Sequence, residues 1–293
     1  MNTLVYVLFL ILKKVVPLFP LRFIQKIAKL KGIFFYYFIP IRRKTAFNNL
    51  KLAFPEKQDT EIRKIIKGCY INVLTVIAEY FYFTKLDDEK IHKLIKMENA
   101  GTFKRQLEKG KGLIIISAHF GNWELMAFGG SRIAGSPFNV IVKEQSNIKL
   151  DKEINKMREL RGNKMIDMSK AMREVLTLLK KNKIVAMLGD QSAPKENSRV
   201  KFFIDGVPVF EGAARFAIKT GAPVIFGVPF RNEDGSYSVT IHEFDMSKYS
   251  EYNDTNVKQF TQEHTALLEN CIRQRPDHWL WFHRKFKNVE GLM

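Results

Sequence analysis

The stretch Ser117-Ala118-His119-Phe120-Gly121-Asn122-Trp123-Glu124 holds residue types and a spacing that could do chemistry. It follows an apolar, β-branched run (113–116) opened by Gly110 and Gly112, which reads as a buried strand. His119 therefore emerges at the carboxyl end of that strand, where α/β sheets present reactive groups. With Gly121-Asn122 as a turn, Glu124 starts the next helix and its carboxylate is expected to fold back onto the imidazole. A carboxylate on one ring nitrogen fixes the tautomer and leaves the other nitrogen as a base. Such a base suits deprotonation of a hydroxyl that attacks an activated acyl group. A His five residues before a Glu also occurs without function, so the pair needs its context.

Competing chemistries lack their signatures. There is no H-E-x-x-H, Ser117 is not in a G-x-S-x-G elbow, and neither a P-loop nor G-x-G-x-x-G occurs. His278 and His283 have no third ligand in view, so no zinc site is expected there. Cys69 and Cys271 stand far apart and read as small buried residues on helical faces, not as a disulfide scaffold.

The elements around the site follow from periodicity. Residues 62–77 repeat apolar side chains at i, i+3, i+4 and predict a helix capped by Asp59 or Thr60. A short polar helix is expected at 102–108. Strands are expected at 113–116, 139–142 and 184–188, with a helix along Met172, Val175, Leu176 and Leu179 capped by Ser169. Asp205-Gly206 signals a hairpin within 201–209. A helix at 213–219, strands at 223–230 and 237–244, and a helix over 257–272 complete the reading. Alternating strands and helices argue for an α/β sandwich with a mostly central sheet flanked by helices. No repeat or low-complexity linker divides the chain.

The chain has 293 residues and a net charge of +18, with hydrophobic residues at 46%, which excludes a disordered chain. Residues 1–55 hold no acidic residue; Glu56 is the first. Basic residues from Lys13 to Lys51 alternate there with greasy runs such as Ile33-Phe34-Phe35-Tyr36-Tyr37-Phe38-Ile39. Apolar burial and attraction to lipid phosphate add on an anionic membrane surface, whereas nucleic acid has no use for the apolar block. The run 3–12 falls short of the roughly 20 residues needed to span, and Pro17 and Pro20 interrupt its continuation. Two regions are expected: a basic, apolar membrane-associating segment, 1–55, lying in the plane of the membrane with a single span as fallback, and a catalytic domain, 56–293.

The box H119-F-G-N-W-E124 resembles the H-x4-D/E motif of glycerolipid acyltransferases, in the form typical of the lipid A late acyltransferases. Further boxes are similar to that family's: R-x-x-A-x-x-N-L after residue 42, Gly189-Asp190-Gln191 at a strand end, GAARFAIKTGAPVIFGVPFR, and Pro276 to Phe286, PDHWLWFHRKF. The resemblance implies a transfer of a fatty acyl chain from acyl-carrier protein or acyl-CoA to the hydroxyl of an anionic lipid A precursor. It places the enzyme at the cytoplasmic face of the cell inner membrane and assigns His119 as general base with Glu124 orienting it. No cofactor is implied.

Where the family carries an Arg after the second strand, this chain has Lys143, which offers a point charge for the oxyanion or a phosphate. The backbone N–H groups of Gly121 and Asn122 are alternative oxyanion donors. Asp190 is expected to orient Lys143 or a basic residue such as Arg199, or simply to cap a turn. Arg215 either meets a lipid phosphate or pairs with Glu211. Trp279 and Trp281 either form an interfacial girdle or pack inward, with Arg284 near the acceptor phosphate. Acceptors such as lysophosphatidic acid, a glycolipid or an amino-acid lipid, and a non-catalytic role on anionic lipid, are the competing readings.

Overall fold

The strand after Gly112 has no outward face: Leu113 and Ile114 are wholly buried and Ile115 and Ile116 nearly so. Burial on two sides requires helices on both faces. The computed structural model describes residues 2–291; Met1, Leu292 and Met293, at the outer ends of the two expected regions, lie outside the described residues. The first half contains α1 (Asn2–Val15), α2 (Leu21–Phe38), α3 (Arg43–Ala53), α4 (Asp59–Tyr82), α5 (Asp88–Leu94), β1 (Ile95–Glu98), α6 (Gly101–Leu107), β2 (Leu113–Ser117), α7 (Trp123–Ile133) and β3 (Phe138–Val142). Then come α8 (Ile148–Arg158), β4 (Lys164–Asp167), α9 (Ala171–Lys180), β5 (Ile184–Leu188), β6 (Arg199–Phe202), β7 (Ile204–Pro208) and α10 (Gly212–Thr220). The chain closes with β8 (Val224–Phe226), β9 (Phe230–Arg231), β10 (Tyr237–Thr240), β11 (His242–Glu243) and α11 (Asp254–Gln274).

The main sheet has six strands in the order β11-β8-β2-β5-β3-β4, parallel from β8 to β4 with β11 antiparallel at one edge. This is the expected α/β architecture. β2 and β5 are neighbours in register, with Leu113 opposite Ile184 and Ser117 opposite Leu188. Their carboxyl ends therefore coincide, and the two sequence boxes that follow them meet in space. A three-stranded sheet, β1-β10-β9, and the β6-β7 hairpin stand apart.

Several local expectations are corrected. α4 is capped by Gln58 in a reciprocal box with Glu61, rather than by Asp59 or Thr60. α9 begins after Lys170, because Ser169 is held by Asp167. The run 223–230 divides between β8 and β9, and 237–244 between β10 and β11, each pair serving two sheets. The β6-β7 hairpin exists, but its turn is at Phe203 (φ 62°) and Asp205-Gly206 lies within β7. Phe203 is fixed there by Glu269, which accepts its N–H at 2.6 Å, and by the rings of Phe54 and Trp281.

Among the described residues no helix is long and apolar enough to cross a membrane. α1 and α2 are separated at Pro17 and Pro20. α2 buries one face, Ile24, Ala28, Gly32 and Tyr36, along α4, and leaves Phe23, Ile27, Leu30, Phe34, Tyr37 and Phe38 exposed on the other. The seam is tight: a Cβ on Gly32 would stand 2.5 Å from Ile71 Cα. We expect Gly32→Ala to cost about 1–3 kcal/mol, since the obstacle is backbone and not a flexible side-chain tip. A thermal midpoint unchanged from wild type in detergent solution would show that the two helices separate freely.

Candidate active site

The shared register of β2 and β5 puts His119 and Asp190 side by side, each two residues past the last paired position. Asp190 Oδ1 lies 2.8 Å from His119 Nδ1, while Oδ2 accepts the His119 backbone N–H at 3.0 Å and the Trp279 indole N–H at 2.8 Å. Trp279 and Trp281 are both buried, so the inward reading of that segment holds. Burial disfavours the Asp190 carboxylate, but His119 and these donors outweigh it and hold its pKa well below the usual carboxylate range. For His119, burial opposes the charged ring, and the Asp190 charge and hydrogen bond more than reverse this, raising its pKa. With Nδ1 engaged by Asp190, the other ring nitrogen, Nε2, lies 3.3 Å from the Gln191 side-chain amide nitrogen. Behind the dyad, buried Lys285 donates to the Gln191 carbonyl at 3.1 Å; burial drives its pKa down to about 8 against the opposing charge of Asp190.

The Glu124 expectation is corrected here. Its carboxylate accepts two hydrogen bonds from Arg158, at 2.9 Å from Nε and 2.5 Å from Nη2, and the orienting contact on His119 comes from Asp190 instead. α7 starts at Trp123, and from its first turn the Glu124 side chain meets Arg158 at the end of α8, whose planar fork matches a carboxylate. Glu124 still faces the same cavity, and its charge contributes to raising the His119 pKa. Sequence reading missed Arg158, because it sits among the ordinary charges of an amphipathic helix with no motif to mark it.

His119, Glu124, Lys143, Arg158, Gln191 and His283 line one cavity of about 550 Å³. Most of its remaining wall is apolar, Phe103, Ile115, Phe128, Phe138, Ile225 and Ile241 among it, interrupted by Ser117, Gln145, Asn163, Ser192 and Lys287. That volume lies within the roughly 300–1,000 Å³ usual for ligand sites. Among the described residues no group of three His, Cys, Asp or Glu side chains is placed to hold a metal ion.

Other candidates fall elsewhere. The Gly121 N–H is given to the His278 carbonyl at 3.0 Å, and a Cβ there would collide with the Pro229 carbonyl, so the turn (φ 54°) requires glycine. Asn122 is wholly buried; its side chain caps α7 at Leu125 N–H and donates to Glu79 at 2.6 Å. Neither residue lines the cavity. Arg199 pairs with Glu290 at 2.8 Å by the β6-β7 hairpin. Arg215 pairs with Glu211 at 2.7 Å and Asp254 at 3.2 Å, the ion-pair alternative. Arg284 is exposed and outside the cavity lining, where its neighbour His283 takes the place on the wall.

The tail closes the site from below. Leu280 N–H donates to the His119 carbonyl at 3.0 Å, and Phe120 bridges Trp279. Under the turn, Glu79 of α4 accepts from Arg231 at 2.6 Å, Tyr237 at 2.5 Å and Gln25 at 2.7 Å, besides Asn122. No sequence signal singled out Glu79.

The family model described as "Bacterial lipid A biosynthesis acyltransferase" matches residues 1–288. Two curated relatives from Escherichia coli (strain K12) are named lipid A biosynthesis palmitoleoyltransferase and lauroyltransferase. They are 24% identical over 254 and 255 residues, covering 85% of this chain and 80% of each relative. A Shigella flexneri lipid A biosynthesis acyltransferase is similar to the same extent over 254 residues.

Replacing Asp190 by Asn removes the charge that raises the His119 pKa, so the ring should titrate at lower pH than in wild type. Histidine NMR titration reads this directly. An unmoved His119 pKa would mean that Asp190 does not set the charge state of the ring.

Proposed function

This chain belongs to the bacterial lipid A biosynthesis acyltransferase family, is an acyltransferase, and on that premise we propose that the His119–Asp190 dyad carries out direct acyl transfer from a thioester to a lipid hydroxyl. The observation that carries this reading is a histidine with Nδ1 held by a buried carboxylate and Nε2 beside the Gln191 amide, on the wall of a mostly apolar cavity. His119 Nε2 takes the proton from the acceptor hydroxyl as its oxygen attacks the thioester carbonyl. The tetrahedral oxyanion collapses, the C–S bond breaks, and the imidazolium returns its proton to the departing thiolate. Arg158 and Lys143 supply positive charge for the oxyanion, and Glu124 fixes the Arg158 fork. The apolar body of the cavity takes the acyl chain.

Donor and acceptor follow the family resemblance: acyl-carrier protein or acyl-CoA, and a hydroxyl of an anionic lipid A precursor. Residues 1–55 act as the membrane-associating region ahead of the catalytic domain, at the cytoplasmic face of the inner membrane. The exposed row of Leu4, Leu8, Ile11, Leu18, Leu30 and Phe38 beside an acid-free basic sequence supports this.

Mass spectrometry of purified protein with each donor, offered a lipid A precursor or lysophosphatidic acid, tests the reaction. His119→Ala should lose about 10²–10⁴-fold of the rate while remaining folded; turnover near wild type would remove the base. Gain of mass on lysophosphatidic acid alone would move the acceptor class. Glu124→Gln should lower kcat more than it changes acceptor KM, because it acts on the charge facing the transition state. The base must be neutral, so the rate should rise as pH passes the raised His119 pKa, and Asp190→Asn should shift that limb to lower pH along with a loss of rate. Ala186→Phe, on the β5 wall of the cavity, should shorten the preferred acyl chain, read as product mass with a mixed donor pool.

A further inference from the structure

A second hollow, of about 170 Å³, lies between α2, α3 and α4, walled by Tyr36, Arg43, Lys44, Phe47, Arg63 and Ile66. Three of its six residues are cations, and no Asp or Glu lines it. Two of the cations are held in place without being neutralised. Arg43 Nη1 donates to the Tyr36 carbonyl at 3.0 Å and its guanidinium lies 5.6 Å from the Tyr36 ring centre, while Arg63 lies 5.5 Å from the centre of the Phe47 ring. α3 begins at this hollow with no acidic residue in its first turn and no side-chain hydrogen bond from its N-cap, Arg42. The positive end of the helix thus adds to the three side chains. Such a hollow is completed by an anion with several acceptor oxygens.

The surroundings decide which anion. Between Tyr36 and Arg43, two of its wall residues, the chain exposes Tyr37, Phe38, Ile39 and Ile41, with Phe38 at 71%. A free phosphate makes no use of such flanks, whereas a lipid places acyl chains along them. We propose that this hollow binds the headgroup phosphate of an anionic glycerophospholipid, held by Arg43, Lys44 and Arg63. The chains of that lipid run beside Phe38, Ile39 and Ile41. The proposal rests on the reading of residues 1–55 as membrane-associating and adds to it a defined headgroup site apart from the catalytic cavity.

The test uses the full-length protein and two double variants of equal charge. Lys44→Gln/Arg63→Gln empties the hollow while leaving the Arg43 hydrogen bond, and Lys26→Gln/Lys29→Gln removes two exposed α2 cations outside it. Binding of dihexanoyl phosphatidic acid, below its micelle concentration, is measured by calorimetry beside inorganic phosphate and dihexanoylglycerol. We expect the lipid phosphate to bind at one site and to weaken about tenfold or more in the hollow variant, with less than threefold change in the α2 variant. Circular dichroism and thermal melting confirm that both variants fold. Equal weakening in the two variants, or inorganic phosphate binding as tightly as the lipid, would overturn the proposal. Flotation of wild type with phosphatidylcholine/phosphatidylglycerol vesicles keeps the two readings separate. Failure to float sinks the membrane reading, while flotation with no hollow-dependent lipid binding sinks this one alone.

Discussion

A carboxylate taken out of water is costly unless donors replace its solvation, and Glu79 gathers them from separate parts of the chain. Arg231 and Tyr237 come from the small sheet, Gln25 from α2 and Asn122 from the turn that follows His119. Losing one partner would leave charge stranded at 2% exposure, so the four elements are held to one arrangement. Asn122 is the link that matters to the chemistry. With its side chain fixed between Glu79 and the first turn of α7, the backbone from His119 to Glu124 has little freedom. The segment is thus positioned from beneath by a group that does not line the cavity.

Above that base, two further carboxylates divide the work by their surroundings. Asp190 is enclosed by a ring nitrogen, a backbone N–H and an indole, and acts on the imidazole. Glu124 lies at the cavity wall opposite a guanidinium and acts on Arg158. The same carboxylate group serves as the partner of an imidazole in one place and of a guanidinium in the other. What separates them is the lateral order of strands: β5 adjoins β2, and its Asp190 reaches the ring first.

That lateral order also marks how far the sequence could be read. A β-branched run opened by glycine reveals β2 and a second apolar run reveals β5, and the boxes after each are visible at the strand ends. Nothing in their periodicity states that the two strands are neighbours, so the nearer residue in sequence, Glu124, was the natural partner for His119. Arg158 and Glu79 were invisible for a related reason, since each gains meaning only from a contact far along the chain. The Phe203 turn shows tertiary packing overriding a local rule: Asp205-Gly206 has the better turn chemistry, but Phe54, Trp281 and Glu269 bind the phenylalanine in a left-handed conformation. The split of 223–230 into β8 and β9 was hidden because an uninterrupted apolar run reads as one strand.

The seam between α2 and α4 bears on the order of events during synthesis. Domains assemble from the N-terminus as the chain emerges, and α2 is made before the helix that covers its Ile24, Ala28, Gly32 and Tyr36 face exists. During that interval both sides of α2 are apolar and uncovered. Once α4 is made it covers the glycine-bearing side, and the aromatic side stays exposed. The narrow, small-residue face is then the one that must be surrendered to protein, and the broad aromatic face the one that need not be.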